Sequence, residues 1–204
     1  MERELVKYYG LNKSKLVTAF PPVAGDCFAR PSEVERRSLR SKLGFGCDKK
    51  HFLFVSSSHE RKGYPLLEKY FTGTDLPIDL LVAGRPIPSE NSHIRYLGYR
   101  KDIEDLYKAV DFTILASTYE PFGLVGVESV LCGTPVVLAE NIGCCDAITD
   151  AAKSTFVAGD LESLDHAIRS VLNSPDRQCG PSDVLSPTSV AEQDRKSTRL
   201  NSSH

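Results

Sequence analysis

Six short apolar runs, at Phe52–Ser56, Ile78–Ala83, Ile94–Leu97, Phe112–Ala116, Pro135–Ala139 and Ser154–Val157, constrain this chain more than any other feature. Several of them are continuous rather than alternating apolar with polar residues, so the strands they predict have no wet face. Between them lie stretches with helical spacing, at Tyr64–Phe71, Asp102–Val110, Leu124–Cys132 and Leu161–Leu172. Strand and helix in alternation predict an α/β fold, a doubly wound, Rossmann-like parallel sheet with helices on both faces. Right-handed crossovers then bring the carboxyl end of every strand to one edge, where the loops at 57–62, 84–85, 98–100 and 117–123 share one crevice. A length of 204 residues, 41% of them hydrophobic, is enough to fill one core of ordinary size.

The loop after the fourth run carries the chemistry. Phe112-Thr113-Ile114-Leu115-Ala116 leads into a polar loop, and a helix starts near Gly123 within Glu120-Pro121-Phe122-Gly123-Leu124-Val125-Gly126-Val127-Glu128. The first amides of a helix have no partner inside it and sit at the positive end of its dipole, so they attract an anion such as phosphate. Gly123 has no side chain to hold that anion off, and Leu124 and Val125 would lend amides rather than side chains. Glu128 stands about 8 Å further along the helix axis. A carboxylate touching a diphosphate would repel it. At that remove it can instead accept two hydrogen bonds from a vicinal diol, as an acidic residue does for ribose in dinucleotide folds. Glu120 is placed on the other side of the phosphates, where the hydroxyls of a transferred sugar would lie.

These residues resemble the signature of the retaining glycosyltransferases of GT-B fold, family 4. That signature reads E-x-F-G-x-x-x-x-E followed by G-x-P-V-V, and Glu120, Phe122, Gly123, Glu128, Gly133, Pro135, Val136 and Val137 match it. The resemblance implies the C-terminal, donor-binding half of a glycosyltransferase. Such an enzyme moves a sugar from a nucleoside diphosphate, with a UDP-sugar favoured, to the hydroxyl of a glycan or glycolipid acceptor with retention of configuration, here in bacterial cell-surface glycan or lipopolysaccharide synthesis. Ser56-Ser57-Ser58-His59-Glu60-Arg61-Lys62-Gly63 resembles the family's loop ending in K-G, which assigns Lys62 to the donor diphosphate. Many relatives carry an arginine six residues before that lysine; Ser56 stands there in this chain, leaving Arg61 as the other candidate cation. Leu97-Gly98-Tyr99-Arg100 resembles the strand end beside the nucleobase, which makes Tyr99 and Arg100 base neighbours. On this reading Lys62 and the helix amides stabilise charge on the leaving diphosphate, Glu120 orients the sugar, and neither a metal nor another cofactor is required. The alternatives are a noncatalytic sugar-nucleotide-binding module and a nucleotide-sugar 2-epimerase, whose own glutamate and histidine pattern differs. No G-x-G-x-x-G follows Phe52–Ser56, which argues against a dinucleotide oxidoreductase.

The same resemblance divides the chain. Residues 1–30, with Val17-Thr18-Ala19-Phe20-Pro21-Pro22 and Phe28, resemble the crossover from an N-terminal acceptor domain, expected to be missing here. Residues 31–175 form the nucleotide-sugar-binding domain. Residues 176–204, ending in a Ser-rich polar stretch, read as a disordered or non-native tail. The chain by itself is therefore expected to be a poorly active fragment, and any peripheral membrane association to come from the missing domain.

Composition excludes other classes. A net charge of −2 gives no broad surface for nucleic acid or membrane, and the Arg36-Arg37, Lys49-Lys50 and Arg100-Lys101 pairs read as solvated surface. No apolar run approaches ~20 residues and no signal peptide opens the chain, so a cytoplasmic location is expected, at the inner face of the membrane in a full-length protein. The six cysteines include no C-x-x-C pair and the five histidines have no metal spacing, so no metal site is expected. His59 reads as a loop histidine facing the crevice, Gly133 and Pro135 as helix exit and strand entry, and Asp146 as a helix cap. Glu128 could be an ordinary acid near a helix start, but that would not account for Glu120, Phe122 and Gly123 around it.

Overall fold

The computed structural model describes residues 2–10, 12, 21, 28–88, 90–174 and 179–185. Most of the expected crossover segment 1–30 and tail 176–204, with Cys27, lies outside them. Helix α1 (Glu2–Tyr9) belongs to one compact unit, and everything that follows concerns the other, within residues 23–184.

All six expected strands form, with shifted ends: β1 (Lys50–Ser56), β2 (Ile78–Gly84), β3 (Ile94–Gly98), β4 (Phe112–Leu115), β5 (Val136–Ala139) and β6 (Lys153–Phe156). They make one sheet in the order β3-β2-β1-β4-β5-β6, and every pairing is parallel. The runs of β1 and β2 are continuous because each of these two strands feeds two cores. Phe52 and Phe54 of β1, with Leu80 and Val82 of β2, face a cluster that includes Phe71 and Ile168. Leu53, Leu81 and Ala83 point the other way, to Phe45, Leu106 and Tyr107. Burial on both faces removes the selection for alternation that an edge of water would impose.

The helices that cover these faces are α3 (His59–Lys62), α4 (Tyr64–Gly73), α5 (Ile103–Ala109), α6 (Leu124–Leu131) and α7 (Leu161–Leu172). Gly63 makes the corner between α3 and α4. Its φ of 79° is left-handed, and a Cβ there would run into the Ala116 carbonyl at the end of β4, so a glycine lets α3 lie close over the sheet edge.

A helix not foreseen from the sequence, α2 (Glu33–Leu43), buries no residue of its own. Ser32 caps its start by accepting from the Glu35 amide, and Gly44 closes it in the left-handed conformation. Its remaining support is tertiary. Arg36 donates to the Lys108 and Val110 carbonyls, and Arg40 to the Ala109 carbonyl and to Asp111, so two guanidiniums satisfy the carbonyl end of α5. Arg36 is thus a half-buried clamp, a correction to its reading as solvated surface. Lys49 pairs with Asp79 and Lys50 with Asp111, also within the fold. At the far end, Cys179 is buried and the Thr149 hydroxyl donates to Asp183 at 2.7 Å, so packing reaches beyond residue 175.

Candidate functional site

In this strand order the chain runs outward from β1 through β2 and β3, then returns to β4 and runs the other way. The reversal between β1 and β4 is a topological switch point, where connections diverge and leave a crevice beyond the carboxyl ends. A cavity of about 330 Å³ lies along that edge. Its wall is made by Val55, Ser56 and Ser57 at the end of β1, Lys62 of α3, Ala83 and Gly84 of β2, Tyr99 and Arg100 after β3, Ile103 and Tyr107 of α5, and Val125 and Glu128 of α6.

The start of α6 is flanked by two glycines, Gly123 and Gly126. Gly123 has φ 87°, and a Cβ on it would come within 2.9 Å of Ile142 Cγ2 and 3.3 Å of Glu120 Cγ. Gly126, one turn on, packs against Cys144 Sγ. That close approach lets the 3-10 turn Gly143–Ala147 brace the preceding loop: the Gly143 amide donates to the Glu120 carbonyl at 3.3 Å and the Cys144 amide to the Phe122 carbonyl at 2.6 Å. The Gly126 amide donates to the Gly123 carbonyl at 3.0 Å, while the amides of Leu124 and Val125, at the mouth of α6, precede the first intrahelical acceptor and are the ones suited to an anion. Asp146 lies inside the 3-10 turn, whose cap is Ile142, so it is not the cap expected of it.

Glu128 reaches the cavity from the second turn of α6. Burial pushes its carboxyl above the usual range, and the hydrogen bond from the Tyr107 hydroxyl, at 3.0 Å to Oε2, acts in the opposite direction. Tyr107 is fully buried. Its backbone is held in turn by the Thr134 hydroxyl, which donates to the Tyr107 carbonyl at 2.6 Å.

At the other end of the cavity the charges are already engaged. Lys62 Nζ lies 2.5 Å from Glu120 Oε2, and Arg61 Nη1 lies 3.3 Å from the same oxygen while also donating to the Tyr119 carbonyl. Two cations around one carboxylate leave one positive charge over. Arg100 supplies none, because its guanidinium grips Asp102 through two bonds of 2.9 and 2.6 Å, which hold the Asp102 carboxyl below its ordinary range.

Of the residues expected at the site, Lys62, Tyr99, Arg100, Val125 and Glu128 are brought together on the cavity wall. Glu120, Arg61, Phe122, Gly123 and Leu124 lie beside it, on the loop and the mouth of α6. Lys62 and Glu120 were assigned to different parts of a ligand, yet here they bond to each other. Tyr99 is 76% exposed, a ring free to cover a ligand. His59 is turned away: its Nε2 lies 3.1 and 3.0 Å from the Arg85 and Pro86 carbonyls, a structural contact. Tyr107 and Ile103 escaped the sequence reading, which placed Ser56 and the loop at Gly84 at the crevice without giving them a contact. The ends of β1 and β2 were placed correctly and pointed to Ser56 and Gly84, while Tyr107 lies one helical turn from Ile103, on the face that α5 turns to the sheet. Among the described residues no cluster of His, Cys, Asp and Glu could hold a metal ion, and no helix is long and apolar enough to cross a membrane.

With this geometry in hand, the comparisons with known proteins are specific. The family model for glycosyl transferases group 1 matches residues 35–181. The chain is 52% identical over 175 residues to a probable transglycosylase of Burkholderia thailandensis, covering 84% of this chain and 48% of that one. Among solved structures it resembles Anabaena HepE in complex with UDP, with a TM-score of 0.73 at 18% identity over 98% of this chain and 61% of the other. It also resembles WaaG, a glycosyltransferase involved in lipopolysaccharide biosynthesis, with a TM-score of 0.71 at 22% identity over 86% of this chain and 52% of that one. At such identities the likeness is one of fold. The chain spans about half the length of the curated relative it matches.

Proposed function

Given that the chain belongs to the glycosyl transferases group 1 family, we propose that it provides the donor-binding part of a retaining glycosyltransferase of family 4 that takes a UDP-sugar. The observation that carries this reading is the cavity at the β1/β4 switch point, closed at one side by Glu128 and at the other by Lys62. The nucleoside lies in the cavity, with Tyr99 and the Arg100 segment beside the base and the ribose diol donating to Glu128. The diphosphate runs from there between Lys62 and the first amides of α6. The sugar then meets Glu120, on the loop just before Gly123.

The Lys62–Glu120 pair gives this arrangement its chemistry. A carboxylate beside a diphosphate is repulsive, but Glu120 comes with two cations, and the surplus positive charge faces the ligand. When the bond between sugar and diphosphate breaks, negative charge grows on the departing phosphate, where Lys62 Nζ and the helix amides are already aimed. Glu120, partly released by Lys62, is free to accept from a sugar hydroxyl. The acceptor hydroxyl attacks from the same face as the leaving group and gives its proton to the departing phosphate, so the bond to the acceptor forms as the bond to the diphosphate breaks and the anomeric configuration is kept. The fold-level resemblance to HepE, which binds UDP, supports a nucleotide-sugar donor, and that to WaaG, which is involved in lipopolysaccharide biosynthesis, supports a role in cell-surface glycan synthesis.

Calorimetric titration of the chain with UDP-glucose tests the donor assignment. Glu128→Ala is expected to weaken binding by about tenfold or more, the worth of hydrogen bonds to a charged acceptor. Undiminished affinity would remove the ribose assignment and the reading with it.

A further inference from the structure

We infer that Tyr107 is a positioning residue for the donor site: its hydroxyl, bonded to Glu128 Oε2, aims the carboxylate at the ribose diol. The inference rests on the reading of Glu128 given above and adds a residue to which no role had been attached.

Three observations converge on Tyr107. Its ring is fully buried between α5 and the sheet, so the hydroxyl has little freedom of direction. Its carbonyl is tied to the Thr134 side chain, which fixes the backbone from which the ring projects. Tyr107 and Glu128 both line the cavity, and the bond between them spans two different helices. A carboxylate offers about four lone-pair sites. The hydroxyl takes one on Oε2, which leaves Oε1 and the remaining site on Oε2 for two neighbouring hydroxyls of a ligand. Without that bond the carboxylate could turn about its last torsion and would meet the diol in one orientation among several.

The bond also favours the ionised carboxyl, against the larger effect of burial. Burial alone raises the Glu128 carboxyl, and a protonated carboxyl can accept from a diol only weakly. The phenol donates to the ionised form and so pulls the carboxyl back down. The other ionisable groups facing Glu128 are Cys132, one turn along its own helix, and, across the cavity, Lys62, Tyr99 and Arg100. Arg100 is bound to Asp102 and Lys62 to Glu120, so neither replaces the phenol.

The test is the pH profile of UDP-glucose affinity, since a sugar-linked diphosphate does not itself titrate near neutrality. In the wild-type chain affinity falls as pH drops and Glu128 takes up a proton. Tyr107→Phe keeps the ring and removes the hydroxyl. It should weaken binding about tenfold at neutral pH and move the acid midpoint upward, because the hydrogen bond that favours the ionised carboxyl is lost. In a Glu128→Gln background the same substitution should change affinity little and move no midpoint. Replacing Tyr107 with 3,5-difluorotyrosine, a stronger phenol donor of similar shape, should move the midpoint down, and this variant decides the matter if Tyr107→Phe does not fold. A loss of affinity of equal size in both backgrounds, or a midpoint that stays in place, would mean that Tyr107 only packs. If Glu128→Ala binds as tightly as wild type, the donor-site reading fails instead, and the two outcomes are distinguishable.

Discussion

Lys62→Ala lowers the affinity for UDP-glucose by about 100-fold or more, the largest single effect the site predicts. Two changes add. The first is loss of a charge-assisted contact to the diphosphate, about 1.5–3 kcal/mol. The second is exposure of Glu120, which in the wild-type chain is bonded to Lys62 at 2.5 Å. Arg61 remains near the same carboxylate but at 3.3 Å and with its side chain 44% exposed, where water screens much of its effect. The net charge facing the phosphates therefore changes from positive to roughly zero. Calorimetry with UDP and with UDP-glucose reads the loss, and a loss smaller than tenfold for both would place the diphosphate away from Lys62.

Glu120→Gln has the opposite sign. Removing the carboxylate charge frees Lys62 and Arg61 for the phosphates, so UDP is expected to bind about tenfold more tightly, a modest share of the unscreened attraction at this range. UDP-glucose should gain less, because its sugar loses an ionised acceptor, and the preference for the sugar nucleotide over UDP falls. Combining the two substitutions provides a coupling measurement. If the pair acts as a unit, Lys62→Ala costs less in the Glu120→Gln background than in the wild type. Additive losses would show that the pair seen in the ligand-free site has no part in binding.

How much of this was legible in the sequence follows from what each residue contacts. Phe52, Leu53 and Phe54 announce a strand because both of their faces are buried, and the helix at Leu161–Leu172 fell where its spacing put it. The start of β6 did not, because Lys153 opens it. That side chain donates to the Cys145 and Ile148 carbonyls, a contact invisible to hydrophobicity. Helix α2 was missed for a related reason: only Leu39 and Leu43 of it pack against the core and neither is fully buried, so its apolar face is slight, and caps together with Arg36 and Arg40 reaching the end of α5 add to its support.

The same division holds at the site. The Glu120, Phe122, Gly123 and Glu128 spacing was visible because one loop and one helix start carry it. Lys62 was visible as the end of another loop. Their meeting was not, since Lys62 and Glu120 lie 58 residues apart and join only because β1 and β4 are neighbours in the sheet. Tyr107 was hidden twice over, as an apolar member of a helix pattern and as a partner of Glu128 on a different helix. Pairings of this kind are set by strand order, and strand order is the part of a doubly wound fold that hydrophobic runs do not specify.

The most direct measurement is a crystal structure of the chain soaked with UDP-glucose. The account predicts the ribose diol within hydrogen-bonding reach of Glu128, the diphosphate between Lys62 and the first amides of α6, and the glucose against Glu120. A nucleotide bound elsewhere on the sheet edge, or in this cavity with its ribose turned away from Glu128, would contradict it.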